Sequence, residues 1–472
     1  MDHSAVIDGA PSELPDGDGD GSGAMYLTGR GAPFQAGSWL AQGGQGVIYE
    51  VVGRPDLVFK RYKSAERSLD VTLRDRLEVM VQLQPAGWRE AQTQHVMLAW
   101  PTETVFDEAG FAGYLMPRID AVRSARLLRV WDPSDREAAE PPNEWLRGFN
   151  WRYLVMTGSN LALGLEALHA SDVVIGDFND ANVAVTPEAR VTFFDCDSMQ
   201  LSDRATGRQY LCRVTRPEFT APELIGVDLQ TTFRTRSSDL FALAVHLYQL
   251  LLQGEHPFRG HWNGTDDPPR EQVLARDGMW TYAGRSELTP RPSAIGLELL
   301  PRDIGELFRR AFVEGAQDPE RRPTATEWRV ALERLGRSLV QCAYNEDHWF
   351  AASFSECPWC RHARRQAMRV ARGPASAGAG TARGAGAARA GAHRPAPARA
   401  ARAPRPRYRR RSRIKVAVSS AAVVIVLAAA AMFSLVHFSV VRPAKSFPLP
   451  CDLFLVNAKN CTWGHQVGGP GK

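Results

Sequence analysis

The stretch VVIGDFNDANVAV, residues 173–185, sets the tightest limit on how this chain can fold. Asp177, Asn179, Asp180 and Asn182 crowd into six positions between runs that read as buried strand. Acids and amides are costly in a core unless they are paired or hydrogen-bonded. A fold that buries the flanks must therefore send this segment into a solvated loop or build a site around it.

Around that segment the hydrophobic pattern divides the chain. WLAQGGQGVIYEV and LVFKRY flank the turn GRPD and predict a hairpin. VMLAWP and GYLMPRI flank DEAG and predict a second. Between them SLDVTLRDRLEVMVQLQP has helical spacing. Beyond residue 150 helices dominate. Leu154, Leu161, Leu165 and Leu168 share one face. SSDLFALAVHLYQLLL is apolar nearly all round, as a buried helix is. TATEWRVALERL opens with a capping box, Thr324 to Glu327. The expected class is α+β: a small β-rich lobe with one helix, followed by a larger helical lobe.

The net charge of +5 hides an asymmetry. Residues 1–360 carry 36 basic and 51 acidic side chains, whereas residues 361–415 carry 17 basic and no acidic ones. Residues 1–30 read as a disordered acidic lead-in without the apolar core of a signal peptide. Its acids lack the terminal glutamate of a calcium loop. Residues 366–415 form a basic Ala/Arg/Gly/Pro tether with no periodic apolar face. Within residues 370–404 no aromatics interleave with the arginines, so anionic lipid rather than nucleic acid is the expected partner. Residues 416–436 are 21 positions without a charge, long enough for one transmembrane helix. The eight basic residues from Arg402 to Lys415 place the preceding domain in the cytoplasm and residues 442–472 outside it. The expected localisation is thus single-pass in the cell membrane. Cys451 and Cys461 are then a disulfide or two free thiols.

Several chemical signals follow in order. AQGGQGV joins two expected strands, and Gly43, Gly44 and Gly46 let the backbone aim N–H groups at phosphate. Lys60 sits among buried strand residues in LVFKRY and needs a partner, for which Glu78 on the following helix is the candidate. GDFNDANV, VTFFDCDSM and FTAPEL come next. This series resembles the eukaryotic-type Ser/Thr protein kinase domain over residues 35–337. More narrowly it looks like a bacterial subfamily often fused to helix-hairpin-helix DNA-binding segments, although no such hairpin is read in this chain.

The resemblance implies a bilobal kinase fold that transfers the γ-phosphate of ATP to Ser/Thr hydroxyls of proteins, with Mg²⁺ as cofactor. Asp177 falls at the catalytic-loop aspartate, and Asn182 and Asp195 at the metal ligands. Gly43, Gly44, Gly46, Lys60, Met116 and Ile119 fall in the nucleotide site. Ala221-Pro222-Glu223 is the APE motif, Asp239 opens the buried helix, and Arg322 is the partner expected for Glu223. Several positions depart from the pattern. Ala41 replaces the first loop glycine. Gly176 removes the arginine that would receive an activation-loop phosphate, so activation is expected without phosphorylation of residues 198–220. Asp197 stands at the glycine of DFG, as a further carboxylate near the metal or a turn cap. Asn179 replaces a lysine, and Arg216 is expected to supply the missing cation or to bind substrate acid.

Beyond the last kinase helix, residues 340–365 hold Cys342, His348, Cys357 and Cys360 in the pattern C-x5-H-x8-C-x2-C. Three thiolates and one imidazole make a closed structural Zn²⁺ set; a redox CxxC and ordinary buried cysteines are the alternatives. The favoured function is a membrane-anchored kinase acting on protein substrates near the membrane. A nucleotide-binding pseudokinase scaffold and a receptor-like sensor are the others.

Overall fold

The computed structural model describes residues 21–372, apart from residues 88, 90–92, 121 and 285–286. Its first half is built from β1 (Met25–Thr28), β2 (Pro33–Gln42), β3 (Gly46–Val51), β4 (Leu57–Tyr62), β5 (Glu103–Asp107) and β6 (Gly110–Pro117). These antiparallel strands close into a barrel in the order β1-β2-β3-β4-β6-β5. Closure comes from β1 meeting β5, with Leu27 opposite Phe106, and it removes free sheet edges. Alternation along each strand turns Tyr26, Val47, Tyr49, Phe59, Val105 and Leu115 inward. Phe59 lies at the centre, its ring 4.7 Å from Tyr26 and 5.5 Å from Phe34. The barrel begins at Met25, upstream of the expected start at residue 35.

The hairpin expected around GRPD is β3–β4. The second hairpin differs. DEAG does join two strands, but its first strand is Glu103–Asp107 rather than VMLAWP. Met97, Leu98, Ala99 and Trp100 are buried outside the barrel, where Met97 and Ala99 bond through their backbones to Phe193. A short apolar run buried on all sides has no periodicity that tells a strand from a buried linker. The helical stretch divides into α1 (Ser64–Leu69) and α2 (Leu73–Leu83). The break falls at Asp70, whose carboxylate accepts from the Thr72 amide and hydroxyl.

The second half packs α3 (Trp151–Ala170), α4 (Arg236–Leu251) and α5 (Ala325–Arg337). The four leucines of α3 are fully buried, and every residue of α4 from Ser237 on is buried. The Thr324–Glu327 capping box is formed. Arg322, with its side chain wholly buried, makes a bidentate pair with Glu223, both bonds 2.7 Å long.

Among the described residues no helix is long and apolar enough to cross a membrane. α3 has the length, at 20 residues, but it carries Arg152, Asn160 and Glu166 and packs against α4 and α5. The expected fold class with a single transmembrane helix, and the single-pass membrane localisation that rests on it, are corrected to this extent: the described residues contain no membrane-crossing helix. The architecture is instead a closed six-stranded barrel joined to a helical half. Residues 1–20 and 373–472 lie outside the described residues, and with them the run 416–436, most of the tether, the tail 442–472, Cys451 and Cys461.

Candidate active site

The polar segment 175–182 runs from the end of α3 into a small sheet of β7 (Ala125–Arg126), β8 (Val183–Val185) and β9 (Val191–Phe193). It is held from below by Asp239, 1 % exposed, in the first turn of α4. The Asp239 carboxylate accepts from the Ile175 amide at 2.7 Å and the Gly176 amide at 2.9 Å, and lies 3.0 Å from His169 Nε2. Gly176 has φ +72°, and a Cβ there would lie 2.7 Å from Cys212 Cβ and 2.9 Å from Arg234 Nη1. No side chain fits, because the fully buried Arg234 already fills the space from another part of the chain. Asn179 is 1 % exposed and points inward. Its Oδ1 accepts from the Ala181 amide at 2.9 Å and its Nδ2 donates to the Asp177 carbonyl at 3.3 Å. It shapes the loop rather than reaching across a cleft.

The β8–β9 register pairs Val183 with Phe193, which brings the residues just outside the hairpin, Asn182 and Asp195, to one end. The Phe194 amide donates to the Asn182 carbonyl at 3.1 Å. Asn182 Nδ2 donates to the Asp177 carbonyl at 3.2 Å and lies 3.5 Å from Asp177 Oδ2, which turns Asn182 Oδ1 the other way. Asp195 adopts the left-handed conformation, φ 54°, tolerated by aspartate. The Ser198 hydroxyl bonds its carbonyl at 2.8 Å.

Lys60 reaches this end from β4. Its Nζ lies 3.2 Å from Asp195 Oδ1 and 2.8 Å from Asp197 Oδ2. Glu78 does not meet it. That carboxylate pairs with Arg74 at 2.8 Å on the exposed side of α2. The partner is Asp197, 3 % exposed, which also accepts from the hydroxyls of Tyr62 at 2.6 Å and Tyr114 at 2.9 Å. Burial alone would raise the Asp197 carboxyl, but the Lys60 charge and the two hydroxyls hold it below the usual range. Burial likewise opposes the Lys60 charge, and the two carboxylates outweigh it and raise the lysine. Asp197 is therefore neither a further ligand on the metal side nor a simple turn cap. α2 contributes Arg76 instead, which donates to the Asp197 carbonyl at 3.1 Å and to the Leu211 carbonyl. From the sequence Asp197 is singled out without its pairing to Lys60, and Arg76 is not singled out. The available signal was Arg76 itself, a charge inside the stripe Leu73, Leu77, Met80.

The glycine loop sits between β2 and β3. Gly46 is required by packing, since a Cβ would lie 2.4 Å from the Arg61 carbonyl oxygen on β4. Gly43 donates to the Gly46 carbonyl at 2.8 Å, and Gly44 lies in the same turn. Met116 is buried near the end of β6 and Ile119 is half-buried just beyond it. Arg216 is half-exposed, 3.7 Å from Asp180. Burial raises the Asp180 carboxyl, and Arg216 partly offsets this.

Cys342, His348, Cys357 and Cys360 converge, with all ligand atoms within 4.8 Å of one another. β10 (Leu339–Gln341) and β11 (Trp349–Ala351) form the hairpin that brings Cys342 beside His348, and α6 (Pro358–Arg372) follows Cys357. Cys342 Sγ is 3.7 Å from Cys360 Sγ, and His348 Nδ1 is 3.5 Å from Cys360 Sγ and 3.8 Å from Cys357 Sγ. A tetrahedral zinc with ordinary bond lengths needs about 3.75 Å between sulfurs and about 3.55 Å from sulfur to nitrogen. The Tyr344 amide donates to Cys342 Sγ at 3.4 Å and lowers that thiol's pKa.

A strand lysine, a loop aspartate with its asparagine, a hairpin-end aspartate and a buried Glu–Arg pair, on a barrel and a helical half, are the features of a protein-kinase-like domain, and the chain carries one. No family model matches the chain. It is 29 % identical to protein kinase YegI of Escherichia coli (strain K12) over 340 residues, 71 % of this chain and 49 % of that protein. The protein of the same name from Escherichia coli O157:H7 is equally similar, at 29 % over 339 residues. Serine/threonine-protein kinase GRIK1 of Arabidopsis thaliana is 36 % identical over 101 residues, 21 % of this chain and 24 % of GRIK1. The chain spans about half the length of the YegI relatives. The similarity is to protein kinases at family level and gives nothing for a helix-hairpin-helix association.

Proposed function

We propose that the protein transfers the γ-phosphate of ATP to serine or threonine hydroxyls of other proteins. The observation that carries this reading is the convergence of Asp177, Asn182, Asp195 and Lys60 at one end of the β8–β9 hairpin. Asp177 orients the attacking hydroxyl and accepts its proton, held in place by Asn182. Asn182 Oδ1 and the partly exposed Asp195 carboxylate are hard oxygen donors that fit Mg²⁺. When bound, Mg²⁺ neutralises charge on the phosphate oxygens. Lys60 binds the phosphates from the opposite side. The backbone of Gly43, Gly44 and Gly46 covers them, and Met116 and Ile119 complete the nucleotide site. Arg216, beside Asp180, supplies a cation toward the transferred phosphate. An Arg216→Ala variant is then expected to lose turnover; unchanged turnover with weaker substrate binding would reduce it to a docking residue.

A second reading, nucleotide binding without transfer, draws on Asn179, which replaces the usual lysine and spends its amide on the loop itself. The test is incubation with Mg²⁺, γ-labelled ATP and general acceptor proteins, followed by acid hydrolysis. Labelled phosphoserine or phosphothreonine is expected; label only on tyrosine would contradict the proposed specificity.

The Cys342, His348, Cys357 and Cys360 set is proposed to hold one structural Zn²⁺, supported by separations close to those of a tetrahedral site. Metal analysis of the purified chain is expected to give one zinc per molecule, lost on Cys357→Ser. Full zinc content in that variant would refute the assignment.

A further inference from the structure

We infer that Asp197 is the residue that positions Lys60 for nucleotide, and that α2 takes part only indirectly, through Arg76. The inference rests on the reading of Lys60 as a phosphate-binding lysine. Lys60 and Asp197 are both almost wholly buried, and the carboxylate uses both oxygens on the ammonium, at 2.9 Å and 2.8 Å. Tyr62, two residues along the same strand, and Tyr114, opposite Lys60 in the register of β4 with β6, each donate a hydroxyl to Asp197. A buried carboxylate with three donors from two adjacent strands is fixed in direction, and it fixes the lysine. Lys60 Nζ also lies over both tyrosine rings, at 5.6 Å and 5.8 Å from their centroids.

The origin of this carboxylate has a mechanical consequence. Asp197 is two residues past Asp195, so the partner of the lysine belongs to the same short turn as the proposed metal ligand. A shift of α2 relative to the barrel does not break the Lys60 ion pair, because no acid of α2 is in it. α2 is tied to that turn through main-chain carbonyls, Arg76 Nη1 to Asp197 and Nη2 to Leu211. Lys60 also contacts Asp195. If Asp195 turns toward a metal, Asp197 still holds the lysine in place. Asp197 is thus a positioning residue; it touches no reacting atom.

The test uses the full chain and three variants, Asp197→Asn, Glu78→Gln and Lys60→Met, with the double variant Lys60→Met/Asp197→Asn. Two readouts do not require phosphoryl transfer: affinity for a fluorescent ATP analogue, with and without Mg²⁺, and the melting temperature. Asp197→Asn is expected to weaken nucleotide binding at least tenfold with or without Mg²⁺, whereas Glu78→Gln changes it less than twofold. Asp197→Asn also lowers the melting temperature, and the double variant recovers part of that loss, because the buried lysine is no longer left unpaired. If Asp197→Asn is too unstable for binding work, Tyr114→Phe is expected to weaken binding in the same direction by a smaller factor. Equal losses from Glu78→Gln and Asp197→Asn, or a double variant whose melting loss is the plain sum of the single losses, would overturn the inference. Failure of transfer with these patterns intact would bear on the proposed reaction and leave the positioning role standing.

Discussion

Lys60, Asp177 and Asn182 stand out in the sequence as costly residue types beside buried runs, and Asp195 through the resemblance alone; the structure brings the four together at one end of the β8–β9 hairpin. The partner of Lys60 was not legible. Glu78 lay at a plausible helical spacing, but its phase on α2 points it to Arg74 and solvent. Asp197 looked like a turn residue, since a two-residue offset from Asp195 says nothing of direction until the left-handed backbone at Asp195 is known. Two predictions belong at this scale. Asp177→Ala is expected to lower turnover about 10²–10⁴-fold with little change in nucleotide affinity, measured by steady-state kinetics and analogue binding. Gly176→Ala is expected to cost about 1–3 kcal/mol by denaturant unfolding, because its φ is positive and the new Cβ meets Cys212 and Arg234.

At the scale of elements, long periodic segments were read well and short apolar ones were not. The α3 leucine face, the all-round burial of α4 and the capping box of α5 follow directly from spacing. VMLAWP was misread because it is buried between barrel and helical half without joining the barrel; its backbone bonds instead to Phe193 at the end of β9. The stretch 198–220 is fastened by buried arginines on its main chain, Arg76 to the Leu211 carbonyl and Arg234 to the Val214 carbonyl at 2.6 Å. Phosphatase treatment of the purified chain is therefore expected to leave turnover unchanged; a requirement for phosphate on residues 198–220 would contradict this.

Two histidines give α4 and its neighbour a pH dependence. His246 sits on the Phe219 ring at 4.4 Å, lies 3.1 Å from the Phe178 carbonyl, and has no partner on Nδ1 among the described residues. Burial pushes His246 and His256 down to about 3. Their folded pKa values lie below the unfolded value near 6.5, so the neutral forms favour folding. That stability is complete above pH 6.5 and is lost as pH falls from there toward 3. At pH 5 the loss is about 2 kcal/mol per histidine. Urea melts at pH 7.5 and 5 are expected to separate accordingly, and His246→Gln to reduce the difference.

For the whole molecule, the kinase-like part and the cysteine-histidine cluster are joined through aromatic contacts that only the folded structure reveals. Trp359 stacks edge-on to Trp151 at 5.6 Å and donates to the Trp349 carbonyl, and Arg152 lies over the Trp349 ring at 4.8 Å. The start of α3 thus carries the cluster, and zinc chelation is expected to lower the melting temperature of the full chain. The spacing C-x5-H-x8-C-x2-C suggested the ligand set, but not where it docks, because Trp151 and Trp359 are far apart in sequence. The reading of a membrane-spanning helix took length and lack of charge in one segment as decisive, and the described helices give it no support.

The central claim is that the site formed by Asp177, Asn182, Asp195 and Lys60 transfers phosphate. The most direct measurement is transfer of label from γ-labelled ATP in the presence of Mg²⁺ by the full chain, beside Asp177→Ala and Lys60→Ala. The account predicts transfer by the wild type and its loss in both variants, with Asp177→Ala still binding nucleotide. A wild-type chain that binds nucleotide and transfers nothing to any acceptor would contradict it.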